Sequence, residues 1–162
     1  NKPMPRSLST LLPKERAIPK TATKREADFW RQMKKGMENT GRNIKATRLE
    51  TWAMPGVPDV VLLDEFGHFH FGELKATAGN AVDLRPHQVA WLTNYGHGSV
   101  WVMVKKHKTK NLPEQFFLYK GADAVDLKME GLKVVPHLRV EGRVDWSEIF
   151  SLICPTTSHN IL

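Results

Sequence analysis

Two acidic residues and a lysine within residues 55–88 have the types and the spacing that metal-assisted chemistry needs. Asp59 follows Pro58 at the start of an apolar segment, and Glu73 and Lys75 lie fourteen and sixteen residues later. Carboxylate oxygens are the ligands that Mg²⁺ and Mn²⁺ prefer, and a nearby lysine can stabilise negative charge that develops on a reacting group. An aspartate at a strand end and a surface Glu–Lys pair would also give this pattern.

A β-hairpin is the element that must position these three residues. The apolar run Val60-Val61-Leu62-Leu63 predicts a strand over 58–64, buried on both faces as a central strand is. A turn at 64–67 leads to an antiparallel strand over 68–76, in which alternation places Glu73 and Lys75 on one face. Adjacent strands lie about 5 Å apart, so Asp59 can lie beside Glu73. Two carboxylates that close repel each other unless a cation lies between them.

The rest of the chain predicts an α/β fold, with a mixed sheet flanked by helices in the order α-β-β-β-α-β. A first helix begins after Thr23 and ends before Gly41, with Glu26 on its inward stripe. A second helix has Pro86 in its first turn and turns Gln88 inward with Trp91, Leu92 and Tyr95. Further strands are predicted at 46–52, 99–104 and 115–119 with a fragment at 134–135, and further helices at 122–129 and 146–153.

Composition indicates one globular domain over residues 23–153, with a basic, proline-containing arm at 1–22 and a tail at 154–162. The chain has 162 residues, of which 41% are hydrophobic and 25% charged, as in ordinary globular proteins. No run of eighteen apolar residues predicts a membrane span, and the first residues do not resemble a secretory signal. Cys154 is the single cysteine, which excludes an internal disulfide and favours a cytoplasmic compartment.

Positive charge is concentrated in the first third of the chain. Residues 1–50 contain thirteen Lys and Arg against five Asp and Glu, whereas residues 51–162 contain eleven against twelve. Such asymmetry favours a polyanionic partner, most simply nucleic acid, although a solubilising basic tail would have the same composition. The candidate DNA contacts are Lys14, Arg16, Lys20, Lys24, Arg25, Lys34, Lys35, Lys105, Lys106 and Lys108.

Gly56-Val57-Pro58-Asp59 followed by Glu73-Leu74-Lys75 resembles the motif of the PD-(D/E)xK nuclease superfamily. With Gln88 on a downstream helix, the pattern is most similar to the VRR-NUC and Holliday-junction-resolvase branches of that superfamily. The resemblance covers about residues 23–104 and implies a restriction-endonuclease-like sheet. It also implies that Asp59 and Glu73 bind Mg²⁺ or Mn²⁺, assisted by the main-chain carbonyl of Leu74, and that Lys75 is the catalytic lysine.

Two further residues fit the family's site, and each has an alternative interpretation. The resemblance implies that Glu26 and Gln88 complete the site, Glu26 from the first helix and Gln88 near the metal or the DNA backbone. Glu26 can instead form a capping box with Thr23, and Gln88 can be a polar residue at the edge of the core. His68 and His70 could together bind a metal, but a half-exposed strand face explains them better, and no Ser-His-Asp arrangement is evident.

The resemblance implies a Mg²⁺-dependent DNA endonuclease that hydrolyses phosphodiester bonds. Among such enzymes we expect selectivity for branched DNA, as in a Holliday junction resolvase. Resolving a junction requires two symmetric cuts, which call for a homodimer. Small nucleases of this kind also resemble phage-encoded recombination enzymes, and a phage origin would imply the bacterial host cytoplasm as the location. The alternatives are a nicking, flap or degradative nuclease of the same fold, and a nucleic-acid-binding protein without catalysis.

Overall fold

The structure is a computed structural model that describes residues 23–49 and 54–156. These residues form one six-stranded sheet and four α-helices, which confirms the predicted α/β fold. In chain order the elements are α1 (Lys24–Asn39), β1 (Lys45–Arg48), β2 (Val60–Leu63), β3 (Phe69–Thr77), α2 (Pro86–Asn94), β4 (Val100–Lys106), β5 (Gln115–Lys120), α3 (Ala124–Glu130), β6 (Leu138–Glu141) and α4 (Trp146–Ile153). The predicted arm at 1–22 lies outside the described residues.

The strands lie in the sheet in the same order as in the chain, from β1 to β6. All neighbours are antiparallel except β3 and β4, which are parallel. A parallel pair requires a crossover connection, and here α2 supplies it. In the β2–β3 ladder Val60 pairs with Gly72, so the preceding residue, Asp59, is placed opposite Glu73.

Helices α1 and α4 cover one face of the sheet. Thr23 caps α1, and its Oγ1 accepts a hydrogen bond from the Glu26 amide at 3.2 Å. Gly36 lets α4 approach α1 closely, because a Cβ atom there would lie 2.1 Å from Trp146 Cδ1. The core on this face includes Phe29, Met33, Val60, Leu62, Leu74, Met103, Phe116, Leu118, Phe150 and Cys154.

Helices α2 and α3 cover the other face, where a second core forms around Leu84, Leu92, Val102, Val104, Phe117, Tyr119 and Leu127. Strand β4 contributes to both cores and is buried on both faces, as its sequence predicts. The same prediction for β2 is wrong. Val60 and Leu62 are buried, but Val61 and Leu63 on the opposite face are only half-buried.

The C-terminal part differs from the sequence prediction in one element. The fragment predicted at 134–135 is not a strand: a short 3₁₀ turn at Gly131–Lys133 precedes it, Val135 is 85% exposed, and the sixth strand begins at Leu138. Helix α4 has the predicted bounds. Among the described residues, no helix combines the length and the apolar character that crossing a membrane requires.

Candidate active site

The β2–β3 hairpin brings Asp59 against the main chain of β3. Asp59 Oδ2 accepts a hydrogen bond from the Leu74 amide at 3.0 Å, and the Asp59 carbonyl accepts one from the Leu49 amide at 2.7 Å. The Leu74 side chain lies in the core on the opposite face. Because the N–H and C=O groups of one strand residue point towards the same neighbouring strand, the Leu74 carbonyl is also on the side of β3 where Asp59 lies.

Glu73 and Lys75 are buried on the face that alternation predicts. Only 1% of Glu73 and 7% of Lys75 is exposed, and Lys75 Nζ lies 3.5 Å from Glu73 Oε1. Removing two charges from water is unfavourable unless each has partners of suitable geometry. A surface Glu–Lys pair, the alternative left open by the sequence, is therefore excluded.

Gln88 joins these two charged side chains from α2. Its Nε2 donates to Glu73 Oε1 at 2.5 Å, while its Oε1 accepts from Lys75 Nζ at 3.1 Å and from the Arg85 amide at 2.9 Å. The residue is 3% exposed. Its amide thus holds the carboxylate and the ammonium group in one arrangement, a more specific position than the edge of a core.

Gly56 allows the turn that carries Asp59 to lie against the beginning of α2. Its φ is +92°, and a Cβ atom there would lie 2.2 Å from the His87 carbonyl oxygen and 3.2 Å from the Gln88 amide nitrogen. A side chain at position 56 would therefore be strained and would also collide with main-chain atoms. The first residue of the Gly-Val-Pro-Asp motif thus has a structural explanation that the sequence does not reveal.

Glu26 lies near the N-terminus of α1 and is half-buried. Its amide donates to Thr23 Oγ1, which is one half of the predicted capping box. Arg25 and Lys105 are close enough to His107 to act on its ionisation, so the N-terminus of α1 lies near the end of β4. Lys75 and Thr77 approach the same end of the sheet, since Thr77 pairs with Lys106. A contribution of Glu26 to metal binding stays a prediction.

The candidate DNA-contacting residues fall into three groups. Lys14, Arg16 and Lys20 lie outside the described residues, and Lys24, Arg25, Lys34, Lys35 and Lys108 are exposed. Lys105 is half-buried and pairs with Gln32 at 2.9 Å and with Glu114 at 3.6 Å, while Lys106 donates to Asn80 at 2.8 Å. Burial and then the positive charges of Arg25 and Lys105 lower the pKa of His107, whereas Glu114 acts in the opposite direction.

A second group of polar side chains lies in the core between the sheet, α1 and α4. Ligand atoms of Asp64, His70 and Cys154 all lie within 4.8 Å of one another, and the three residues could hold a metal ion. The expectation that His70 lies on a half-exposed strand face is wrong, because His70 is 4% exposed, whereas His68 is exposed. No local pattern indicates this group, because Cys154 comes 84 residues after His70.

Hydrogen bonds join Ser99, His70 and Asp64 in a row, so the expectation that the chain has no Ser-His-Asp arrangement is wrong. His70 Nδ1 lies 2.5 Å from Ser99 Oγ, and His70 Nε2 lies 2.8 Å from Asp64 Oδ2. Burial disfavours the charged form of Asp64, but hydrogen bonds from His70 and from main-chain amides outweigh it and lower the pKa of Asp64. Burial raises the pKa of the Cys154 thiol to about 12. These partners account for the group as a structural network in the core.

Comparisons of the chain with protein-family models, curated proteins and solved structures gave no match. The functional interpretation therefore depends on the motif residues and on their arrangement in the structure. Of the five predicted catalytic residues, the structure brings Asp59, Glu73, Lys75 and Gln88 together around the β2–β3 hairpin. For Glu26 it gives only the location, at the N-terminus of α1.

Proposed function

We propose that this protein is a metal-dependent DNA endonuclease that hydrolyses phosphodiester bonds, with selectivity for branched DNA such as a Holliday junction. The observation that carries the proposal is the hydrogen-bonded arrangement of Glu73, Lys75 and Gln88 beside Asp59. Buried charged side chains that share one polar partner are more typical of a functional site than of a stabilising ion pair.

The donor atoms suit a hard divalent cation. The carboxylates of Asp59 and Glu73 come from adjacent positions on paired strands, and the Leu74 carbonyl is on the same side of β3. Oxygen ligands of this kind favour Mg²⁺ or Mn²⁺ over softer ions. When bound, such a cation would supply a nucleophilic water at neutral pH and offset charge on the phosphate.

The side chains of the site have distinct parts in the proposed reaction. Lys75 Nζ lies 3.5 Å from Glu73 Oε1 and donates to Gln88 Oε1. Because an ammonium group has three donors, Lys75 can also donate to a phosphate oxygen as negative charge develops there. Gln88 holds Lys75 and Glu73 in a fixed geometry, and the Leu74 amide holds one oxygen of Asp59. This fixed geometry reduces the reorganisation needed to reach the transition state.

The basic residues support a DNA substrate. Arg25 and Lys105 lie close to His107, next to the end of β4, and the first fifty residues carry a net charge of +8 against −1 for the remaining residues. Lysine and arginine attract phosphates without reading sequence. Selectivity for a branched structure would then follow from shape, and paired cuts in a junction would require a two-fold dimer.

The proposal is tested by cleavage of a labelled four-way junction and of its linear duplex with Mg²⁺, with Mn²⁺ and with EDTA. Glu73→Ala and Asp59→Ala should each reduce the cleavage rate at least about 100-fold, while binding measured in EDTA is preserved. Glu38→Ala serves as the matched control, because Glu38 is an exposed acid on α1.

Each outcome has a defined meaning for the proposal. Paired symmetric nicks in the junction, absent from the duplex and from the Glu73 variant, would support a junction-selective nuclease. Equal cleavage of both substrates would keep the nuclease and remove the selectivity. Metal-independent binding without cleavage of either substrate would refute catalysis and favour a nucleic-acid-binding protein.

A further inference from the structure

Four aromatic side chains form a partly exposed row beside the candidate active site, which we call the aromatic shelf: Phe69 and Phe71 of β3, Trp91 of α2, and Tyr95, which directly follows α2. The ring centroids of Phe71 and Trp91 are 5.6 Å apart, and the rings of Trp91 and Tyr95 stack at 4.3 Å. Phe69 is 62% exposed, and Tyr95 is 53% exposed, so the prediction that Tyr95 lies on the inward stripe of the second helix is wrong. Aromatic side chains are among the residues that bury most area in cores, so their exposure at both ends of one row indicates a binding surface.

The aromatic shelf begins next to the site. Phe71 and Phe69 precede Glu73 by two and four residues on the same face of β3, so they lie about 7 and 13 Å away along the strand. Trp91 and Tyr95 follow Gln88 at spacings of three and seven, which places them on one side of α2. The shelf therefore extends from Glu73 and Gln88 towards the β2–β3 turn.

The sheet surface next to the shelf suits a polyanion. Val61 and Leu63 of β2 are half-buried on the same face, and exposed Lys45 pairs with Leu63 across the strands. Glu73 is the only acid in strands β1, β2 and β3, and Asp59 directly precedes β2 on the same face; both are candidate metal ligands. A partner that presents flat apolar rings on a negatively charged backbone fits both the aromatic side chains and this charge.

We propose that the aromatic shelf binds unpaired nucleotides next to the scissile phosphate by base stacking, an inference that rests on the proposed nuclease function. Every base has a π-face, so aromatic side chains stack unpaired bases without reading sequence. Bases inside a duplex are covered by their neighbours and are not accessible to the shelf. At 3.4 Å per stacked base, the distance of about 13 Å along β3 from Glu73 to Phe69 corresponds to about four nucleotides. The shelf thus gives a physical reason for preferring branched DNA whose bases beside the branch point are unpaired, whereas a fully paired four-way junction offers it no bases unless the junction opens.

The first experiment measures binding in EDTA by fluorescence anisotropy, with labelled oligothymidylate and with an abasic oligonucleotide of the same length. Phe69→Ala and Tyr95→Ala should each weaken oligothymidylate binding on the order of tenfold, because each removes one stacking ring. Neither should change the affinity for the abasic strand, which keeps the phosphates and lacks the bases. Met129→Ala is the matched control, since Met129 is an exposed apolar residue on α3. Melting temperatures verify that all three variants fold.

The second experiment compares cleavage of a branched substrate that carries unpaired nucleotides at its branch point with cleavage of its linear duplex, both in the presence of Mg²⁺. Phe69→Ala and Tyr95→Ala should lower the ratio of the two rates, with duplex cleavage preserved. If the wild type cleaves but both variants keep its oligothymidylate affinity and its rate ratio, the shelf proposal is refuted and the nuclease stands. If no DNA is cleaved but base-dependent binding is lost in the variants, the shelf stands and the nuclease proposal fails.

Two further results would overturn the stacking proposal. If Phe69→Ala and Tyr95→Ala weaken binding of the oligothymidylate and of the abasic strand equally, the aromatic rings do not act by stacking on bases. If the wild type is an oligomer in sedimentation experiments, and Phe69→Ala and Tyr95→Ala dissociate it without changing the affinity for oligothymidylate, this face is a contact between two copies of the chain.

Discussion

Replacing Gly56 by alanine tests whether the motif turn must lie against α2 for the site to form. The substitution adds one methyl group, but the structure leaves no room for it. The new Cβ would lie 2.2 Å from the His87 carbonyl oxygen, and φ at this position is +92°. We expect the turn to move away from α2 and to carry Asp59 away from Glu73 and Gln88.

The expected loss of stability has two parts that the chain allows us to separate. A left-handed φ costs a residue other than glycine about 1–2 kcal/mol. Overpacking adds about 1–3 kcal/mol, and the upper end applies because the contacted atoms belong to the main chain and cannot change rotamer. The free energy of unfolding should therefore fall by about 3–5 kcal/mol, a large part of the roughly 5–15 kcal/mol of a typical domain.

Two other glycines, Gly67 and Gly79, provide the controls for this prediction. Gly67 has a φ of +82° with no atom within 4 Å of an added Cβ, so Gly67→Ala should lose only the conformational part, about 1–2 kcal/mol. Gly79 has neither a positive φ nor a close neighbour, and Gly79→Ala should be neutral or stabilising by up to about 1 kcal/mol. Urea denaturation measures all three variants.

The cleavage assay then links this local fit to the site. Gly56→Ala should lose nuclease activity even under conditions where most of the protein remains folded, whereas Gly67→Ala and Gly79→Ala should keep it. If Gly56→Ala destabilises the protein no more than Gly67→Ala does, and cleaves normally, then close packing of the motif turn against α2 does not position Asp59.

Three other perturbations test separate parts of the structure. Thr23→Ala should lower the free energy of unfolding by about 1 kcal/mol, because it removes the cap of α1. Glu26→Gln should slow cleavage in single-turnover kinetics. If Glu26→Gln instead lowers the melting temperature and leaves the activity normal, Glu26 is a capping residue. Because the folded pKa of Asp64 lies below its ordinary value of 3.8, Asp64 stabilises the fold above that pH and loses this effect as pH falls through the folded pKa. Stability measured against pH in urea should therefore fall less steeply below 3.8 for Asp64→Asn than for the wild type, and equal slopes would contradict this. Cys154 is fully buried with its pKa raised to about 12, so iodoacetamide at mildly alkaline pH should modify it only after unfolding; rapid alkylation of the folded protein would show that this core opens.

Most secondary structure could be predicted because it depends on local patterns. The apolar spacing of α1, the two-sided burial of β4 and the bounds of α4 all follow from residues adjacent in sequence. The failures have a non-local cause. Val61 and Leu63 suggest two-sided burial by composition, but the elements packed on each side of β2 determine that only Val60 and Leu62 are buried.

The candidate site shows the same division. Asp59, Glu73 and Lys75 could be brought together from sequence alone, because a short hairpin and strand alternation fix which side chains share a face. The bridging position of Gln88 depends on how α2 packs on the sheet, which no local pattern specifies. The same is true of the contact between Gly56 and the His87 carbonyl.

The sequence by itself therefore determined the residue types of the site, the hairpin that carries them and the basic character of the first fifty residues. Only the tertiary structure decided that Gln88 links Glu73 to Lys75, that an aromatic row extends from them, and that Cys154 meets His70 and Asp64 in the core. The physical reason is that local patterns specify which face of an element is apolar. Which elements those faces pack against depends on the whole chain, because one fold must bury all the apolar faces at the same time.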